Sequence, residues 1–176
     1  MNFRPKRIKL AAGTIGALTA AVLAVSTSPA AASGTYSGRA YVYGAGAFSD
    51  DWGDEGILST STNTYSNATC LWQKILWADG FLGSRADVDG IFGTGTRDAT
   101  RAWQRSRGLS DDGVVGKDTF AVADGRLRDW DGNGALDTYD GEPWNFSVWR
   151  DSEGRYGFND GYDNKRLAGY DYRTCS

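Results

Sequence analysis

Two copies of one short turn, each closed by a glycine, constrain the fold of this chain more than any other feature. The first copy is Asp89-Gly90-Ile91-Phe92-Gly93, and the second, Asp112-Gly113-Val114-Val115-Gly116, begins 23 residues later. An Asp-Gly pair favours a tight turn, and the two apolar residues that follow it can enter a core. The last glycine then allows the change of backbone direction that starts a helix. The repeat therefore predicts a small module in which each turn leads into a helix.

Helical patterns surround both turns. A first helix is predicted from a cap at Ser66 or Asn67 to about Asp79, because apolar residues recur there at helical spacing before a glycine. A second helix is predicted over residues 96–107 and a short third helix over residues 117–123. The central part of the chain is therefore predicted to be a bundle of three helices.

The C-terminal part of the chain has the pattern of antiparallel strands. Apolar residues alternate with polar ones over residues 144–149 and again over 156–158, and the two runs are separated by turn residues. A further strand is predicted over residues 167–173. A β unit of this size forms little core alone and needs a partner. The predicted fold class is therefore α+β, in four parts: a leader at 1–32, an irregular segment with a short strand at 33–65, the helical bundle at 66–124 and the β-rich unit at 125–176.

The first residues have the order of a secretory signal peptide. Basic residues at 4–9 precede an apolar run at 10–25, and Ala30 and Ala32 occupy the positions that a signal peptidase reads. The alternative is an uncleaved membrane anchor. Removal of residues 1–32 lowers the count of lysine and arginine from 19 to 15 against 22 acidic residues, a net charge of −7. This acidic balance argues against a nucleic-acid partner, and no membrane contact is expected once the leader is removed.

The two cysteines are expected to form a disulfide in an exported protein. At 100° per residue, Cys70 lies about 160° and Trp77 about 140° from Trp72, on the side of the first helix away from its apolar stripe. We therefore predict that the β unit covers that side and that Cys175 is bonded to Cys70. The alternatives are two free thiols, and a Trp77 that is simply exposed on the surface.

Residues 69–120 resemble the peptidoglycan-binding domain of the three-helix type that many bacterial cell-wall hydrolases carry. Four ordered blocks carry the resemblance: Trp72-Gln73 followed by Ile75-Leu76, the turn Asp89–Gly93, Ala102–Leu109, and Asp112–Phe120. Two positions depart from the family pattern. Trp103 stands where phenylalanine is usual, and Thr94-Gly95 replaces a start of the second helix that commonly contains proline.

The resemblance implies binding of wall peptide or glycan in a shallow groove, without chemistry. The ligand-binding candidates are Arg101, Trp103, Gln104, Arg105 and Phe92, with the arginines suited to a stem-peptide carboxylate. The alternative is that Phe92 and Trp103 fill the core, as periodic apolar residues usually do. A structural role is assigned to the turn residues Asp89, Gly90, Gly93, Asp112, Gly113 and Gly116.

A third motif has the spacing of a calcium-binding loop. Counting from Asp129, oxygen-bearing side chains occupy positions 1, 3, 5, 9 and 12 and glycine occupies position 6, which is similar to an EF-hand or dockerin-type loop. The predicted Ca²⁺ ligands are Asp129, Asp131, Asn133, Asp137 and Asp140. Aspartate at position 12 departs from the usual bidentate glutamate, and the alternative is an acidic, glycine-rich connection between strands.

These observations predict a secreted, cell wall-associated protein that binds peptidoglycan and is not an enzyme. The chain has no histidine, which excludes Ser-His-Asp catalysis and histidine-ligated zinc. A wall hydrolase is the enzymatic alternative, but a glycosidase needs a carboxylic acid of raised pKa and a second carboxylate. The glutamates Glu55, Glu142 and Glu153 all lie in turn-like sequence. A third alternative is an interaction protein whose β unit binds a protein partner while the helices hold the wall.

Overall fold

The computed structural model describes residues 35–175, so the predicted signal peptide lies outside the described residues. Three α-helices occupy the central part of the chain: α1 (Asn67–Ala78), α2 (Thr94–Ser106) and α3 (Lys117–Asp124). Five short strands follow them: β1 (Leu127–Arg128), β2 (Thr138–Asp140), β3 (Asn145–Arg150), β4 (Tyr156–Asn159) and β5 (Lys165–Leu167). The predicted α+β class is confirmed. We call residues 66–124 the helical module.

Helix α1 begins and ends as its sequence predicts. The Ser66 hydroxyl accepts a hydrogen bond from the Thr69 backbone N–H (3.0 Å), which satisfies one of the free donors at the helix N-terminus. At the other end Gly80 adopts a φ of 77°, a conformation that stops a helix. Every residue of α1 except Trp77 is buried, so the helix lies at the centre of the molecule.

Aromatic rings fill the core between the helices. The Trp72 ring packs edge to face against Trp103 (5.1 Å between centroids) and against Phe120 (5.9 Å). Trp52, from the N-terminal segment, packs against Phe120 from the other side (5.8 Å). The indole nitrogens of Trp72 and Trp103 have partners, which is the requirement for burying them: Thr100 Oγ1 at 2.8 Å and Asp79 Oδ2 at 2.6 Å.

The strands form one antiparallel sheet in the order β1-β2-β3-β4-β5. In β3, Phe146 and Val148 are buried while Asn145 and Ser147 are exposed, as the alternation predicts. The strand predicted over residues 167–173 is wrong in its bounds, because β5 covers Lys165–Leu167. The Asp160 carboxylate accepts hydrogen bonds from the backbone of Tyr162 and Asn164, which closes a tight turn and starts the pairing early.

The N-terminal segment lies across the module and the sheet without forming regular strands. The short strand predicted within residues 33–65 is present only as two isolated bridges, Tyr41 with Gly169 and Tyr43 with Arg155. Two further bridges, Leu58 with Val115 and Tyr65 with Ile91, join this segment to the two Asp-Gly turns. No helix among residues 35–175 is long and apolar enough to cross a membrane.

The β unit covers the side of α1 that carries Cys70 and Trp77. The predicted disulfide between Cys70 and Cys175 is confirmed, with the two Cα atoms 6.6 Å apart. Trp77 stacks in parallel on Trp144, with 6.0 Å between the ring centroids. Gly141 approaches α1 so closely that a Cβ there would lie 2.7 Å from the Ala78 Cβ. The helices and the sheet therefore share one interface.

Candidate functional site

Each Asp-Gly turn of the helical module is held by a buried glutamine. The Gln73 side-chain nitrogen donates hydrogen bonds to Asp89 Oδ1 (2.9 Å), the Ile91 carbonyl (3.1 Å) and Thr96 Oγ1 (3.0 Å). Its side-chain oxygen accepts from the Gly90 N–H at 2.7 Å. One amide group thus joins the Gly90 N–H and the Ile91 carbonyl to the side chains of Asp89 and Thr96.

The second turn has the same set of hydrogen bonds. The Gln104 nitrogen donates to Asp112 Oδ1 (3.0 Å), the Val114 carbonyl (2.9 Å) and Thr119 Oγ1 (3.2 Å), and its oxygen accepts from the Gly113 N–H (2.9 Å). The sequence contains a signal for this arrangement that the turn repeat alone does not reveal. Trp-Gln occurs twice, as Trp72-Gln73 and Trp103-Gln104, and each glutamine precedes the turn that it holds.

The residues assigned a structural role lie where the turns need them. Gly90 and Gly113 have φ of 73° and 75°, which side chains other than glycine adopt at a cost. Gly93 and Gly116 are the extended residues immediately before α2 and α3. The carboxylates of Asp89 and Asp112 each accept a hydrogen bond from the backbone N–H two residues later, at 2.9 and 2.8 Å.

Three of the five ligand-binding candidates lie in the core. Phe92, Trp103 and Gln104 are each at most 1 % exposed, so they belong to the core, although Gln104 also lines a cleft at the second turn. The remaining two, Arg101 and Arg105, are exposed on α2. Arg105 pairs with Asp111 (2.8 Å), and Arg101 Nε lies 3.4 Å from the Asp112 carbonyl.

Two shallow clefts lie at the turns. The cleft at the second turn has a volume of about 210 Å³, and its lining includes Leu109, Ser110, Lys117, Asp118 and Tyr36 from the N-terminal segment. The cleft at the first turn has a volume of about 320 Å³, with Leu82, Ala86, Asp87, Ile91 and Thr94 in its lining. The repeated turn thus gives the module two related concave surfaces.

The comparison with protein families identifies the helical module. Residues 66–122 match the family model described as "Putative peptidoglycan binding domain". The match begins at the cap of α1 and ends inside α3, and it covers about a third of the chain. No curated protein and no solved structure gives a significant match.

Outside the residues that match the family model, a buried carboxyl group stands out. Burial raises the pKa of Glu55 to about 7, against the lowering effect of hydrogen bonds from the Tyr170 hydroxyl and the Tyr43 N–H. Burial also raises the pKa of Asp124, the last residue of α3, to about 7. Both side chains belong to residues at most 2 % exposed.

The structure brings together three of the five predicted calcium ligands. Carboxylate oxygens of Asp129, Asp131 and Asp137 all lie within 4.8 Å of one another. The Asn133 amide donates to Asp131 (2.8 Å), and its oxygen accepts from the Ala135 N–H. Asp140 does not join the group, because it lies in β2 with its carboxylate 3.6 Å from Arg128 Nε. Its place in the sheet fixes it there.

Proposed function

We propose that this protein is exported by its leader, binds cell-wall peptidoglycan through the helical module and does not cleave it. The observation that carries the proposal is the family match over residues 66–122, in a segment whose two turns and three helices are all complete. The net charge of −7 after loss of the leader speaks against the alternative of nucleic-acid binding.

The exposed face of α2 and the cleft at the second turn form the proposed contact surface. Arg101 and Arg105 project from this face, and Lys117 lines the cleft beside it. A guanidinium group binds a carboxylate in a two-pronged geometry, and the peptide stems of the wall carry carboxylates. Of the buried candidates, Trp103 and Gln104 belong to the same helix and Gln104 lines the cleft, whereas Phe92 belongs to the first turn.

The absence of cleavage rests on where the acidic groups lie. A glycosidase needs a protonated carboxylic acid and a second carboxylate on either side of the scissile bond, both open to the substrate. The carboxyl groups whose pKa is raised to about 7, Glu55 and Asp124, are enclosed in the core. Glu55 is also engaged by Tyr170 and Tyr43.

Co-sedimentation of the mature protein with purified sacculi tests both parts of the proposal. We expect the protein in the pellet and no release of soluble wall fragments. The variant Arg101→Glu/Arg105→Glu should bind at least about tenfold more weakly, because hydrogen bonds to charged groups contribute about 1.5–3 kcal/mol. The matched control is Arg39→Glu/Lys165→Glu, which makes the same change of charge at two exposed residues outside the helical module.

Three results would contradict the proposal, each in a different part. Mature protein that stays in the supernatant contradicts the proposal that it binds the wall. Equal binding of sacculi by the two double variants shows that Arg101 and Arg105 do not contribute to the binding site. Release of soluble fragments over time shows catalysis.

We also propose that the loop from Asp129 to Asp137 binds Ca²⁺. Three carboxylates at loop positions 1, 3 and 9, with Gly134 at a φ of 84° in position 6, supply hard oxygen ligands and the sharp turn that such loops need. Added Ca²⁺ should raise the melting temperature, since a ligand at 100 times its Kd stabilises by about 2.7 kcal/mol. Asp129→Asn/Asp137→Asn should abolish the shift and Asp118→Asn/Asp171→Asn should keep it. A melting temperature that neither Ca²⁺ nor a chelator changes would contradict calcium binding by this loop.

A further inference from the structure

A polar cleft lies between the helical module and the sheet, away from both Asp-Gly turns. Its volume is about 250 Å³, smaller than the roughly 300–1,000 Å³ of pockets for drug-sized ligands. We call it the junction cleft. The lining comprises Lys74 and Trp77 of α1, Arg85 of the short 3₁₀ turn Arg85–Asp87, and Asn145, Phe146, Ser147, Asn159 and Asp163.

The junction cleft contains buried polar atoms that lack hydrogen bonds. Among residues 35–175, four buried side-chain nitrogen or oxygen atoms have no partner, and two of them, Arg85 Nε and Asn159 Oδ1, belong to residues that line this cleft. Buried polar groups in folded proteins are nearly always paired, because an unpaired one costs about 1–3 kcal/mol. An unpaired donor and an unpaired acceptor on residues of one cleft favour a ligand that carries both kinds of group and contacts them after a small movement of these side chains.

A buried ammonium group adds positive charge to the cleft. Lys74 is 1 % exposed, and its Nζ donates one hydrogen bond, to the Asp160 carbonyl at 2.9 Å, although an ammonium group has three hydrogens. Burial, and secondarily the charge of Arg85, lower the pKa of Lys74 to about 8. The one carboxylate in the lining, that of Asp163, pairs with the terminal nitrogen of Arg85.

Two exposed aromatic residues are chain neighbours of cleft residues, and one of them, Trp144, also packs on a cleft side chain. Trp144, the neighbour of Asn145 in the chain, is 55 % exposed, and one of its faces stacks on Trp77. Tyr162, the neighbour of Asp163, is 63 % exposed. Aromatic rings with an apolar face and a solvent-exposed polar edge are suited to ligands that are themselves partly apolar and partly polar. A sugar ring, with C–H faces and hydroxyl edges, is such a ligand.

We propose that the junction cleft binds one acidic sugar ring, a hydroxylated ring that carries a carboxylate. The carboxylate pairs with Arg85 Nε and Lys74 Nζ, and the ring hydroxyls pair with Asn145, Ser147 and Asn159. Amide and hydroxyl side chains both donate and accept, as sugar hydroxyls do. The site is independent of the cleft at the second turn and of peptidoglycan binding by the helical module, since half of its lining comes from the sheet.

Titration of the intact mature protein with glucuronate, followed by NMR of the tryptophan indole N–H groups, tests this site. We expect saturable shifts of the Trp77 and Trp144 resonances with glucuronate, and at least about tenfold weaker binding of glucose, which lacks the carboxylate. Glucuronate that leaves both resonances unmoved, or glucose that binds equally well, overturns the proposal. Sacculus binding is measured separately, so loss of one function is distinguishable from loss of the other.

Matched variants separate charge in the cleft from charge on the surface. Arg85→Met and Lys74→Met should each weaken glucuronate binding about tenfold or more. In the cleft, Lys74 and Arg85 lie over the Trp77 ring, at 4.6 and 5.5 Å from its centroid. Lys165→Met is the control, because Lys165 lies in the same way over the Trp149 ring (5.4 Å) but outside the cleft. Arg85 is only half-buried, so its variant should fold even if the Lys74 variant does not. Equal affinity of Arg85→Met and Lys165→Met overturns the assignment.

The pH dependence supplies a second readout. The charged groups around Lys74 are Arg85, Asp160 and Asp163, and Lys74 itself loses its charge as the pH rises through its pKa of about 8. Glucuronate should therefore bind more tightly at pH 6.5 than at pH 9.5, and Lys74→Met should remove most of that difference. A pH-independent affinity in the native protein overturns the role of Lys74.

Discussion

The two Asp-Gly turns of the helical module have the same internal hydrogen bonds but different outside support. At the first turn, Arg173 Nη1 donates to the Asp89 carbonyl (2.8 Å), and the tail that carries it is fixed by the disulfide of Cys175. At the second turn, Leu58 and Val115 exchange two backbone hydrogen bonds (3.0 and 2.9 Å) with no covalent link. The N-terminal segment thus pairs with both turns, and the C-terminal tail additionally holds the first.

This difference separates what a local motif determines from what its surroundings determine. The glutamine, the aspartate and the glycines determine the shape of each turn, since both copies reach the same geometry in different environments. The free energy that holds each turn in place depends on segments far away in the chain. We therefore expect equivalent substitutions in the two turns to differ in cost.

Removal of the disulfide should have the largest effect. The bond spans a sequence separation of 105 residues, and a loop of about 100 residues contributes about 4.7 kcal/mol in the chain-entropy model. Cys70→Ala/Cys175→Ala should lose about 4 kcal/mol in denaturant unfolding. Amide hydrogen exchange should accelerate at Gly90 and Phe92 more than at Gly113 and Val115. Equal acceleration at both turns would remove the asymmetry that we describe.

Replacement of the turn glutamines should come next. Gln73→Leu leaves the Gly90 N–H without its partner and removes the hydrogen bonds to Asp89 and Thr96, and an unpaired buried group costs about 1–3 kcal/mol. We expect a loss of about 3–4 kcal/mol by denaturant unfolding. Gln104→Leu should cost less, because Asp112 beside it is exposed and water can replace part of its bonding. The reverse order would contradict the comparison.

A methyl group added at each turn glycine should show the asymmetry most directly. Both positions have a positive φ, which costs about 1–2 kcal/mol for a residue with a Cβ. A Cβ at position 90 would also lie 2.6 Å from Cys175 Sγ, which the disulfide keeps in place, whereas at position 113 it meets Arg97 and Arg101 side chains that can move. Gly90→Ala should cost about 3 kcal/mol and Gly113→Ala about 1–2, measured by thermal unfolding.

The smallest expected effect is a pH dependence on the side of the second turn. Burial raises the pKa of Glu55 from 4.5 to about 7, so the folded state favours the protonated acid. The stability contributed by that proton is fully present below pH 4.5 and is lost as the pH rises through about 7. Glu55→Gln should flatten the fall in melting temperature between pH 5 and 7.5. Part of the slope should remain, because Asp124 titrates in the same range. A slope unchanged by Glu55→Gln contradicts this account.

The parts of the fold that follow from local chemistry could be predicted. The Ser66 cap and Gly80 mark the ends of α1, and the position of Cys70 opposite the apolar stripe indicated which side the sheet would cover. The turn repeat indicated the helical module. In each case the residues that determine the structure lie close together in the sequence.

The remaining features depend on contacts between distant residues. Glu55 lies in a loop-like sequence, yet it is fully buried because Tyr170 closes over it from the far end of the chain. The single-residue bridges at Leu58 and Tyr65 have no periodic pattern to reveal them. Asp140 fits the spacing of a calcium loop, but pairing of β2 with β3 takes it away from the other ligands.

The enclosure of α1 limits how this protein can be engineered. Helices usually leave one face to water, but here residues as polar as Asn67 and Lys74 are enclosed because the sheet and the tail cover the outer side. A fragment cut to residues 66–122 would expose that side and lose the bond to Cys175. A version of this protein for display on a surface or fusion to an enzyme should therefore contain all of residues 35–175.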